Sequence, residues 1–240
     1  QGTENAFPDQ FTQEYSRDIE PMKGGHGDNY YCQLVSNIRR FKGLSKPRIV
    51  SDPKNINIDG EFDDWQDVFP IFRDHKNSIA KRDATGYGST RYINETLEND
   101  IIQSMVSRDD KFLYFKVSTA SDISAPSNQW MMLLIDIDRN KETGWEGYDF
   151  VINRTRPVDG KAVLEKCVLG WKWKAVGKID FAMRDNQMEL KIPKSILNSE
   201  VGDRSFEFKW WDNISGQVND GMDFYINGDT APSGRFNYVY

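Results

Sequence analysis

From residue 47 onward the chain reads as a succession of short strands. In FLYFKVS, Leu113, Phe115 and Val117 alternate with Tyr114, Lys116 and Ser118; in QMELKI, Met188, Leu190 and Ile192 alternate with Gln187, Glu189 and Lys191. A period of two puts one set of side chains in a core and the other in water. QWMMLLIDI is apolar at nearly every position, which predicts a central strand covered on both faces. Further strands are predicted at DIIQSMVS, YDFVINR, AVLEKCVLGWKWKAV, KIDFAMRD and SFEFKWWDN. Residues 73 to 99, rich in Lys, Asp, Gly and Thr, predict a long decorated loop with room for one short strand.

The first part of the chain has a different period. Tyr31, Leu34, Val35, Ile38 and Phe41 recur at helical spacing, Asp28 or Asn29 suits the start and Gly43 the end. The prediction is therefore all-β: a two-sheet antiparallel β-sandwich of jelly-roll or immunoglobulin-like type over residues 47–240, behind a short helical segment within residues 1–46. The helix's apolar stripe needs cover, from the following domain or from a preceding domain of a longer parent chain.

Charge narrows the partners. With 31 basic and 37 acidic residues the net charge is −6, which argues against nucleic acid and against an anionic membrane surface. The longest apolar run, Trp130 to Ile135, is far below the ~20 residues of a membrane span, so no membrane insertion is expected. Cys32 and Cys167 form no CxxC motif, and their pairing is open. His26 and His75 are the only histidines, which gives a Ser-His-Asp or Cys-His mechanism little to work with. GYGST at residues 86 to 90 lacks the lysine of a phosphate loop. Carboxylates are plentiful, and a glycoside hydrolase needs only two facing each other across a cleft.

The richest stretch for chemistry is IDIDRNKETGWEGYDFVINR, residues 135 to 154, where Asp136, Asp138 and Asn140 alternate as the apolar strand runs out. Such clustered oxygen donors suit calcium, which accepts irregular oxygen cages. Lys141 stands where a helix-flanked calcium loop requires glycine and Gly147 where it requires glutamate, so that loop type is excluded. A strand-end site remains, with Asp136, Asp138 and Asn140, a backbone carbonyl near Glu142, and Asp149 or Glu146 returning from the next strand. The same residues also suit an ordinary solvated turn. A cation here has a structural role.

Seven tryptophans raise the question of sugar stacking, because an indole packs against the C–H face of a sugar ring. Trp65, Trp130 and Trp210 read as core. Trp145, in a glycine-flanked loop, and Trp211, on the face of Glu207 and Lys209, are candidates for exposure, followed by Trp171 and Trp173. Asp212, Asn213 and Arg235 near the polar C-terminal segment are candidates to bind hydroxyls. Each has a plain alternative in core packing or turn formation.

Taken together, NINIDGEFDDWQDV with Asp59, Gly60 and Trp65, SRDDKFLYFKV, DIDRNKETGWEGYDFVINR and MELKIPKSIL resemble the family 9 carbohydrate-binding-module-like domains, of DOMON-like β-sandwich type, over about residues 47 to 240. The resemblance implies structural calcium at Asp136, Asp138, Asn140 and Asp149, and structural roles for Asp59, Gly60 and Trp65. It further implies an accessory domain without catalysis that binds oligo- or polysaccharide. Such domains are appended to secreted bacterial glycan-degrading enzymes, which implies a secreted, periplasmic or cell-surface location. A spacer or docking domain of the same fold without sugar affinity is the alternative, and a glycoside hydrolase or lyase the more distant one.

Overall fold

The computed structural model describes residues 34, 35, 37–39, 41, 42, 49–74, 76, 82–85, 91–94, 98–124, 129–197, 205–212, 218, 219, 221 and 223–240. Within them the strands are β1 (Ile71–Arg73), β2 (Arg82–Thr85), β3 (Arg91–Asn94), β4 (Ile101–Arg108), β5 (Phe112–Thr119), β6 (Met132–Asp136), β7 (Phe150–Ile152), β8 (Lys161–Leu169), β9 (Lys172–Arg184), β10 (Gln187–Pro193), β11 (Glu207–Asp212), β12 (Asp229–Ala231) and β13 (Tyr238–Val239). Two helical turns, Lys194–Leu197 and Asp223–Ile226, follow β10 and precede β12. The all-β expectation holds, and residues 34, 35, 37–39 and 41 are helical as the spacing predicts. The proposed boundary at residue 46, the helix caps, His26, His75, Cys32, Asn213 and the GYGST segment lie outside the described residues.

The strands are joined edge to edge in one antiparallel path, β1-β4-β5-β10-β9-β8-β7-β6-β11-β12, with β13 also on β11. Rolling brings the ends of this path together: the Ile101 amide of β4 donates to Asp229 Oδ2 of β12 at 2.7 Å. The sheet is thus nearly closed on itself. Its inner face holds the alternating residues of every long strand, among them Leu113, Phe115 and Val117, Leu133 and Ile135, Met188, Leu190 and Ile192, and Phe206, Phe208 and Trp210. Trp130 and Trp210 lie here, with the Trp210 indole donating to Ser104 Oγ at 2.8 Å.

Three expectations need correction. The Arg73–Asn99 stretch holds two short strands rather than one, β2 and β3, paired as a separate ribbon. AVLEKCVLGWKWKAV is not one strand: it turns at Gly170, and β9 then runs on through KIDFAMRD. The outer face expected to be wet is also covered in two places. Over β4 and β5, residues 56–72 bury Tyr114, and Trp65 sits with Ile56, Val68 and Met105. Over β6, β7 and β11, a second aromatic group forms from Met132, Leu134, Trp145, Tyr148, Val151, Trp211 and Phe224. A two-residue period marks which side chains share a face but not whether a distant segment later covers that face.

Candidate functional site

Met132, Leu134 and Asp136 share the outer face of β6, so the strand that builds the core ends with a carboxylate under the second aromatic group. Asp136 is fully buried. Lys141 Nζ donates to its Oδ2 at 2.6 Å and to Glu207 Oε2 at 2.7 Å, bridging two carboxylates that face each other across the β6–β11 ladder. Asp136 Oδ1 is buried without a hydrogen-bond partner. Burial pushes the Asp136 carboxyl above its ordinary range, while Lys141 and the Arg139 amide pull it back. A buried carboxylate oxygen left unpaired is costly, by about 1–3 kcal/mol or more for a charged group.

Around it the chain gathers more carboxylate. Oxygens of Asp136, Asp138 and Asp149 lie within 4.8 Å of one another. Ligand oxygens about 2.4 Å from a central calcium are separated by no more than ~5 Å, so the spacing fits such an ion. The loop that returns Asp149 is tightly wound: Asp138 Oδ1 accepts from the Asn140 amide at 2.9 Å, Asn140 Oδ1 from the Glu142 amide at 3.1 Å, and Asp149 Oδ2 from the Ile137 amide at 3.0 Å. Burial raises the Asp149 carboxyl, and the nearby Asp138 and Asp136 charges raise it further. Asp136, Asp138 and Asp149 are therefore brought together, whereas Asn140 turns its oxygen to its own loop and Glu142 is exposed. Glu207 was not visible as a neighbour of Asp136, because nothing in the linear sequence sets β6 against β11; Lys141, five residues on, stood out only as a departure from the helix-flanked calcium loop.

The same loop builds a cleft of about 210 Å³ lined by Lys141, Glu146, Tyr148, Phe224, Arg235 and Asn237. Tyr148 and Phe224 line it as largely buried rings, 2 % and 5 % exposed, and the Tyr148 hydroxyl donates to Asn237 Oδ1 at 2.6 Å. Arg235 Nη2 is 2.8 Å from Glu146 Oε2, and both side chains remain partly open to solvent. Of these, only Arg235 was a candidate for hydroxyl binding. Tyr148 lies in the GWEGYDF stretch, where Trp145 was the aromatic candidate.

The four candidate tryptophans do come together, yet not as an exposed platform. Trp145 is 5 % exposed and Trp211 fully buried, which corrects the expectation that these two face solvent. Their rings lie parallel with centroids 6.2 Å apart, Trp171 meets Trp145 edge-on at 4.5 Å, and Trp173 meets Trp171 edge-on at 5.3 Å. The Trp211 indole donates to the Asn227 carbonyl, tying the last segment down over β11. Trp171 and Trp173 remain half-buried at the cluster's edge. Asp212 is buried as well: it accepts from the Met131 amide at 3.0 Å and from Asn99 Nδ2 at 3.1 Å. Burial pushes its carboxyl up to about 6, and its partners are protein groups rather than an open cleft.

No family model, no curated protein and no solved structure matches this chain. Among the described residues, no helix is long and apolar enough to cross a membrane.

Proposed function

We propose that this chain is a calcium-stabilised, non-catalytic carbohydrate-binding domain. The observation that carries the reading is that one loop does two jobs: residues 136–149 gather Asp136, Asp138 and Asp149 at one end and contribute Lys141, Glu146 and Tyr148 to the cleft at the other. A cation seated on the carboxylates would neutralise them and fix the cleft wall in one stroke. The cleft presents Arg, Lys, Glu and Asn side chains beside two largely buried rings, polar groups of the kind that hydrogen-bond the hydroxyls of a small polyhydroxylated ring. Its size suits one sugar residue of an oligo- or polysaccharide. Calcium is the cofactor and glycan the partner. By the resemblance in sequence motifs, the domain would target a larger secreted, periplasmic or cell-surface enzyme to its substrate.

Burial of Trp145 and Trp211 favours a second reading, in which the aromatic cluster is structural and the domain is a spacer without sugar affinity. Calorimetric titration with a panel of mono- and oligosaccharides, in calcium and again in chelator, separates the two. Binding that needs calcium and is lost in Arg235→Ala supports the cleft; no heat from any saccharide leaves the spacer reading. Release of reducing sugar from a glycan panel would overturn the non-catalytic assignment.

A further inference from the structure

The net charge of −6 conceals a local reversal on the β8–β9 hairpin. Residues 166–178 hold four lysines, Lys166, Lys172, Lys174 and Lys178, and no acidic residue. All four are exposed. Lys166 and Lys174 face each other across the ladder, an arrangement of like charges that destabilises a free hairpin. Of the neighbouring acids, Glu165 is engaged by Arg154 at 2.7 Å and Asp180 by Lys161, while Asp149 lies near Lys166. Among the described residues, no ion pair holds Lys172, Lys174 or Lys178.

At the end of this basic hairpin the chain displays apolar side chains. Register shifts at Cys167/Leu169, and Val168, the residue left over, is 65 % exposed while Leu169 is 74 % exposed. A side chain added at Gly170 would meet nothing within 4 Å, so the tip stands in open space. Trp171 and Trp173 sit just behind it, half-buried against the aromatic cluster. Two exposed aliphatic residues at a bare tip, tryptophans one step back and lysines on the shoulders follow the order of layers from hydrocarbon through interface to headgroup.

We infer that the β8–β9 hairpin tip docks this protein on an anionic lipid surface, with Val168 and Leu169 entering the acyl region and Lys166, Lys172 and Lys174 facing the headgroups. Lysines near such a surface are drawn to its anionic headgroups, and burial of the aliphatic tip adds to the attraction. An acidic polysaccharide would match the lysines but not the tip. Trp171 is held edge-on by both Trp145 and Trp173, and the groups offered most openly are aliphatic.

The test is co-sedimentation of the full chain with vesicles of phosphatidylcholine alone and of phosphatidylcholine mixed in equal parts with phosphatidylserine. Binding to the mixed vesicles only, weakened about tenfold or more by Val168→Asp with Leu169→Asp and by Lys172→Glu with Lys174→Glu, is the expected result. Both double variants change exposed positions, and an unaltered melting temperature confirms that each folds. Arg235→Ala, which removes a cleft residue, leaves vesicle binding unchanged, so failure here and failure of the sugar reading are told apart. Absence of binding to mixed vesicles overturns the inference. So does binding indifferent to Val168 and Leu169, or retention on a soluble acidic polysaccharide that depends on the lysines alone.

Discussion

Two buried carboxylates sit on the outer face of the same sheet, and their surroundings are opposite. Glu189, on β10, accepts from the Trp65 indole at 2.8 Å, the Gly60 amide at 2.9 Å and the Asp59 amide at 3.1 Å, so both its oxygens are served. Burial still raises its carboxyl, against the pull of those three donors. Asp136, on β6, has Lys141 on one oxygen and a buried, unpartnered atom as the other, with Asp138 and Asp149 close by. The Trp65 region is complete as the chain makes it. The Asp136 region is not, and its unserved oxygen beside two further carboxylates is the feature on which the proposed cation site rests.

The largest effect expected from this contrast is at Glu189. Glu189→Ala leaves three donors without an acceptor and should lower unfolding free energy by about 4 kcal/mol, measured by urea denaturation, with the loss equal in calcium and in chelator. A calcium-dependent loss would erase the distinction between the regions.

Next comes Asp136→Asn. Wild-type protein should gain about 3 kcal/mol when calcium is a hundredfold above its dissociation constant, seen as a rise of several degrees in melting temperature. The variant should show no such rise. Equal rises in both proteins would place calcium elsewhere.

Lys209 sharpens the comparison with a buried charge of the other sign. On the outer face of β11, it donates to the Pro232 carbonyl, and burial pushes its ammonium down to about 7, with Asp74 and Asp229 opposing the shift. Between about pH 7 and 10 the unfolded chain holds this proton more tightly than the folded one. Stability should therefore rise with pH across that window, by at most about 1.4 kcal/mol per pH unit. Lys209→Met should flatten the rise; an unchanged slope would show that Lys209 does not titrate as stated.

The smallest effects compare two glycines. Gly60, beside Glu189, has φ +82 and nothing within 4 Å of an added Cβ, whereas Gly147, beside Asp136, has φ +92 and an added Cβ would lie 2.8 Å from Lys141 Cδ. Gly60→Ala should cost ~1 kcal/mol of backbone strain without touching calcium affinity. Gly147→Ala should cost somewhat more and weaken calcium binding by displacing Lys141, which calorimetry resolves.

Much of the fold was legible because alternation is local: Leu113, Phe115 and Val117 are inward, as their spacing predicts. What covers the outer face was not. Trp211 shares a face with Glu207 and Lys209, and by pattern that face is wet, but Val218 and Phe224 pack over it and the carbonyls of Asn227 and Pro232 accept from Trp211 and Lys209. The same gap hid the service Trp65 does for Glu189, which links residues 124 apart. At the site, Asp136, Asp138 and Asp149 could be grouped because one strand end and one short return place them. Glu207 enters only through the β6–β11 register, and Asn237 and Arg235 only through the last segment.

The most direct test of the account is calorimetric titration of calcium into wild-type protein and Asp136→Asn at neutral pH. One site in the wild type, filled below about 1 mM calcium, and none in a variant that still melts cooperatively is the predicted result. A wild type that takes up no calcium, or a variant that binds it as tightly as the wild type, would contradict the claim that Asp136 closes a cation site.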